Sequence, residues 1–108
     1  MFPRKLRLSR RGFESARGLN RAASRYFSVS HGPAPEEGGA AVVVSKKVAR
    51  LSVMRHLLRR RVMAVARPYA SPERALIIHV RPGAGQVAFP LLRDELIGLL
   101  RSILPAQP

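Results

Sequence analysis

The chain of 108 residues has no cysteine, no tryptophan, only six aromatic residues and only six acids. Without cysteine there is no disulfide, no thiolate nucleophile and no zinc site built on sulfur ligands. The acids, Glu14, Glu36, Glu37, Glu73, Asp94 and Glu95, are scattered and give no convincing carboxylate cluster for a two-metal nuclease centre. The histidines, His31, His56 and His79, lie too far apart for a paired helical metal site, and no carboxylate pair brackets them. No metal-binding residue and no catalytic residue is therefore expected among the side chains. Apolar stretches end after five or six residues, far short of the roughly 20 that cross a bilayer. The expectation is a soluble, cytoplasmic protein with no membrane partner.

What the sequence does have is positive charge. Twenty Lys and Arg against six acids give a formal charge of +14, a self-repulsion that a polyanion would offset, so nucleic acid is the expected partner. Residues 1–67 hold 16 of these cations against three acids, whereas residues 68–108 hold four against three. The binding surface is thus expected in the first two thirds of the chain. Seventeen of the twenty are Arg, the side chain that forks onto phosphates and stacks on bases, although a G+C-rich coding sequence would also enrich Arg. The length fits one domain, residues 1–108.

The N-terminal 30 residues are Arg-rich, contain Ser and hold one acid, Glu14. They can also be read as a transit peptide processed near Arg25-Tyr26-Phe27-Ser28. Its removal would take a strand from the core, which argues against cleavage.

The pattern along the chain gives an α-β-β-α-β-α order. Ser9 is placed to cap a short helix over Arg10–Arg17, with Phe13 as its large apolar anchor and Gly18 to stop it. Arg25–His31 reads as a first strand, and residues 32–39, rich in Gly and Pro, as a flexible hairpin loop. Ala40–Ser45 is continuously apolar up to its last residue, the pattern of a central strand buried on both faces. From Ser52 as N-cap, Met54, Leu58, Val62 and Val65 form a helical stripe ended by Pro68, with Arg55, His56, Arg59 and Arg60 on the opposite face. Arg61 falls beside the stripe and must snorkel or pair. Arg74–Arg81 is strand-like, Pro82-Gly83 turns the chain, and Phe89, Leu92, Leu96, Leu99, Leu100 and Ile103 mark a closing helix. A short tail, 105–108, follows. The class is α+β with one small mixed sheet.

Val43-Val44-Ser45-Lys46-Lys47-Val48, followed by Ser52-Val53-Met54-Arg55-His56-Leu57-Leu58-Arg59-Arg60-Arg61, resembles the strand and basic helix of the bacterial ribonuclease P protein component. Seven residues separate Lys47 from Arg55, in register with that family's Arg-Asn-Arg helix motif. Leu6-Arg-Leu-Ser-Arg-Arg-Gly-Phe13 is similar to the family's opening helix, Ile77-Ile78-His-Val-Arg-Pro-Gly-Ala84 to its late strand and turn, and Phe89–Leu104 to its closing helix. The resemblance covers nearly the whole chain and accounts for the first strand. Two departures stand out. Arg55-His56-Leu57 keeps only the first Arg of the helix motif, and Arg17 stands where the family often has a second aromatic after Phe13.

The resemblance implies a ribonuclease P protein-like fold, of the ribosomal protein S5 domain 2-like kind. It further implies an RNA-binding subunit, monomeric within a ribonucleoprotein, whose partners are ribonuclease P RNA and precursor tRNA. Endonucleolytic removal of the 5′ leader would then be carried out by the RNA and its Mg²⁺, with no cofactor bound by the protein alone. Lys46, Lys47, Arg50, Arg55, His56, Arg59, Arg60 and Arg61 would meet the catalytic RNA. Phe13, Arg17, Tyr26 and Phe27 would meet the single-stranded leader, with Tyr26 and Phe27 on opposite faces of their strand. The alternative is a ribosomal or other structural RNA-binding protein without a catalytic role, which has no reason to show the Lys47-to-Arg55 spacing. A DNA-binding helix protein is less favoured, because no helix-turn-helix pairing is legible.

Overall fold

The run Arg74–Val80 has four consecutive buried residues, Ala75 to Ile78, and this lack of alternation marks a strand covered on both faces. It is one of the two interior strands of a four-stranded sheet. The computed structural model describes residues 7–9, 19–34 and 38–104. In chain order these hold β1 (Asn20–Ala23), β2 (Phe27–Pro33), β3 (Gly39–Val43), α1 (Ser52–Ala66), a 3-10 turn (Arg67–Tyr69), β4 (Arg74–Val80), a second 3-10 turn (Ala84–Gln86) and α2 (Phe89–Ile103). The sheet order is β1-β2-β4-β3; β2 is antiparallel to β1 and β4, and β3 is parallel to β4. The expected α+β class holds. The expected opening helix, with Phe13 and Arg17, and the tail 105–108 lie outside the described residues.

Two strand expectations are corrected. Residues 32–39 do not turn a hairpin, because β2 and β3 each pair with β4 and not with one another. Nor is β3 central, since it ends the strand order and its Val43 is exposed. The long apolar run of β4 lies between β2 and β3, and among the described residues the outer edge of β3 carries one parallel bridge, between Arg7 and Ala40. That edge is close-fitting: Gly39 has φ +135°, and a Cβ there would sit 2.6 Å from the Arg7 carbonyl carbon. β1 was not expected at all, because Asn-Arg-Ala-Ala has neither β-branched nor aromatic residues. It forms on the free edge of β2 through a turn closed by the Ser24 amide donating to the Phe27 carbonyl at 2.8 Å.

One sheet face carries the core. Phe27 and Val29 of β2, Leu76 and Ile78 of β4, Val62 of α1, and Leu92, Leu96 and Leu100 of α2 are all essentially solvent-free. Each such side chain contributes roughly 1.5–3 kcal/mol by leaving water. Ser52 is the first residue of α1 and not its cap, which is Leu51, with no side-chain capping bond. Pro68 ends α1 and Pro90 opens α2, as the sequence implies.

His31 alternates with Phe27 and Val29 on the core face of β2 and is 8% exposed. Its Nδ1 has no hydrogen-bond partner among the described residues. Burial, and then the charge of Arg74, hold its pKa below the ordinary value near 6.5.

Candidate nucleic-acid interface

Parallel pairing puts the C-terminal ends of β3 and β4 on one side of the molecule, and the register places the start of β2 there too, with Val43 opposite His79 and Phe27 opposite Val80. Three chain segments therefore converge at one end of the sheet. Arg25 precedes β2, Lys46, Lys47 and Arg50 follow β3, and Arg81 follows β4; all five are exposed. Sequence reasoning found the lysines and Arg50 but missed Arg25 and Arg81. The available signal was their position at the ends of strands, which becomes informative only once the pairing is known.

Two of these cations, Arg25 and Arg81, are held by specific contacts. The Arg81 guanidinium donates to the Ser24 carbonyl at 3.0 Å, and its amide donates to the Tyr26 carbonyl at 2.8 Å. Arg25 lies over the Tyr26 ring, 5.3 Å from its centroid, a cation–π contact that presents charge and ring together. The Glu95 carboxylate of α2 accepts from the Ser24 hydroxyl at 2.6 Å and from the Tyr26 amide at 2.7 Å. Gly83, at φ +98°, lies so close that a Cβ would be 3.3 Å from Tyr26. Tyr26 is half-buried beside this turn.

The basic helix is oriented differently from the sequence expectation. Its buried residues are Val62 and Ala66, and at 100° per residue Arg55 lies within about 20° of both, with Arg59 about 20° beyond Ala66. The core-facing line is thus turned by roughly 60° from the Met54-Leu58-Val62-Val65 stripe. Arg55 and Arg59 continue that line towards the N-terminus and are half-buried, whereas His56, Arg60 and Arg61 lie roughly 100–140° away from it, on the far side of the helix, and are exposed. The reason lies in the first two turns, where Val53, Met54 and Leu57 find no cover and remain 67%, 49% and 37% exposed.

Arg55 carries a second task. Its Nη1 donates to the carbonyls of Ala49 and Arg50, at 3.0 and 2.7 Å, tying the loop after β3 to the helix. Arg61 instead crosses to α2, 5.6 Å from the Phe89 ring centroid. It is paired, as its place beside the stripe required. Residues 38–72 contain eight cations and no acid, so nothing within this stretch neutralises the ridge.

The leader-facing set divides. Phe27 is wholly buried in the core and is corrected to a structural residue. Tyr26 stands just before β2, half-buried and packed against the edge of the core. On the sheet face away from α1 and α2, Ser30 and Ile77 are buried, Ser28 and His79 half-buried, and Arg21 and Val43 exposed. Phe13 and Arg17 lie outside the described residues. Among the described residues no group of three His, Asp or Glu side chains could hold a metal ion. None of their helices is long and apolar enough to cross a membrane.

No curated protein matches the sequence. Among solved structures, the chain is similar to an RNase P protein from Thermotoga maritima, with TM-score 0.73 and 21% identity over 94% of this chain and 98% of that one. It is similar also to two structures of the Staphylococcus aureus RNase P protein at 18% identity. One has TM-score 0.73 over 87% of this chain and 90% of that one, the other 0.72 over 100% and 99%. Likeness at such identities establishes the fold. The family itself rests on a separate match, that of the Ribonuclease P family model to residues 2–104, and by this match the chain belongs to the ribonuclease P protein family.

Proposed function

We propose that this chain binds the ribonuclease P RNA through Lys46, Lys47, Arg50 and the α1 cations, and holds the 5′ leader of precursor tRNA on the outer sheet face. The observation that carries the reading is the convergence of Arg25, Lys46, Lys47, Arg50 and Arg81 at one sheet end, continuous in sequence with an acid-free basic helix. Each phosphate neutralised releases counterions, so binding weakens steeply with salt. Tyr26, carrying Arg25 on its ring, suits stacking of an unpaired base, a contact worth about 1–3 kcal/mol. Phe13 and Arg17 complete the leader set.

Hydrolysis of the phosphodiester bond is assigned to the RNA subunit with its Mg²⁺, and the protein's own part is to bind, screen charge and orient. The protein acts in the cytoplasm, as one copy within the ribonucleoprotein. The reading is tested by measuring the affinity of the reconstituted complex for precursor tRNA and for mature tRNA. Tighter binding of the leader-bearing form, only when the protein is present, supports it. Equal affinities with and without the protein contradict it and favour a structural RNA-binding role.

A further inference from the structure

Beside the cationic sheet end lies a depression of about 380 Å³, walled by the loop Val48–Leu51, the α1 residues Met54, Leu57, Leu58 and Arg61, the turn Ala84–Val87, and Phe89 and Leu92. Its lining is mainly apolar, no acid contributes to it, and its two charged side chains are Arg50 and Arg61. The exposed Leu51, Met54 and Leu57 open it to solvent. The turn is fixed against the loop, because a Cβ on Gly85 would lie 2.6 Å from the Val48 carbonyl oxygen.

We infer that this depression receives one unpaired nucleobase of a bound RNA, the phosphates on either side of it resting on Arg50 and Arg61. The inference rests on the RNA-binding reading above and adds a site to it. An apolar hollow cannot hold phosphate, and the apolar part of RNA is the base, which everts from the duplex at bulges and loops. Cations without acids at the rim match a polyanion and repel a second copy of a +14 chain. The volume is near the lower end of the roughly 300–1,000 Å³ of small-ligand pockets, enough for a ring system and small for a partner helix.

The test uses three RNA hairpins of one stem sequence, fully paired, with a single-nucleotide bulge, and with an abasic bulge. Affinities are measured for the intact protein and for the double variant Met54→Gln/Leu57→Gln. The bulged hairpin should bind about tenfold more tightly than the other two. The double variant should lose that preference while keeping its affinity and salt dependence for the paired hairpin. If the intact protein binds all three equally with steep salt dependence, the base site is wrong and the RNA-binding reading stands. If none of the three binds, and the catalytic RNA does not bind either, the underlying reading fails first. Saturable binding of an acidic apolar peptide that the double variant loses, with no bulge preference, assigns the depression to a protein partner and overturns the inference.

Discussion

Glu95 and Tyr26, 69 residues apart, are joined by a 2.7 Å hydrogen bond from the Tyr26 amide to the Glu95 carboxylate, and the same oxygen accepts from Ser24 at 2.6 Å. The closing helix thereby fixes the turn that presents Arg25 and Tyr26. Glu95→Ala leaves a part-buried amide and hydroxyl without their acceptor, which costs about 1–3 kcal/mol. Thermal unfolding should show a fall of several degrees, with Glu95→Gln recovering part of it. Affinity for a paired RNA hairpin should change little, because no phosphate-contacting cation is removed.

Arg55 should behave differently from Arg59 and Arg60. Arg59→Ala and Arg60→Ala are each expected to lower the salt slope of RNA binding by about one, with little effect on stability. Arg55→Ala should lower the slope and the melting temperature together, because it also releases the Ala49 and Arg50 carbonyls. Arg55→Lys should keep the charge but not the paired contact, so affinity recovers more than stability. Salt titrations and melting curves on the same preparations separate these outcomes.

The adjacent aromatics differ in burial, Phe27 being wholly enclosed and Tyr26 half-exposed at the edge of the core. Phe27→Ala should cost about 3–5 kcal/mol, the loss expected for a buried large side chain. Tyr26→Ala should fold and instead weaken the preference of the complex for leader-bearing tRNA by about 1–3 kcal/mol. Equal loss of stability in both variants would contradict the assignment.

Stability should fall with acid through His31. Its native pKa is depressed by burial and by Arg74, so the unfolded chain takes up the proton first. Stability is full above the unfolded value near 6.5 and declines as the pH drops from there towards the lower native pKa. Melting temperatures of the wild type and His31→Asn, followed from pH 7.5 to 5, should show a steeper decline for the wild type. Parallel curves would contradict the role of His31.

The two long helices and β4 were legible in the sequence because apolar periodicity and Pro boundaries agree there. β1 was not, since Asn20–Ala23 is a strand only because β2 offers an edge. The place of β3 was also hidden, because a continuous apolar run does not say which neighbour it will have. The Lys46-Lys47 to Arg55 spacing pointed to the right family. The facing of α1 did not follow from it, because Met54 and Leu57 count as apolar in any periodicity although both remain exposed. Arg25 and Arg81 joined the site through strand pairing, which no local pattern encodes.

Assignment of the cationic sheet end and basic helix to the RNA-binding role in ribonuclease P is tested most directly by multiple-turnover cleavage of precursor tRNA by the same organism's ribonuclease P RNA at low Mg²⁺. The reaction is run without protein, with it, and with the variant Arg55→Ala/Arg59→Ala/Arg60→Ala at a temperature where that variant is folded. Mature 5′ ends are expected with the intact protein, and little or no cleavage without it or with the variant. Cleavage that does not depend on the protein, while the protein still binds RNA tightly and sediments with ribosomes, would contradict it.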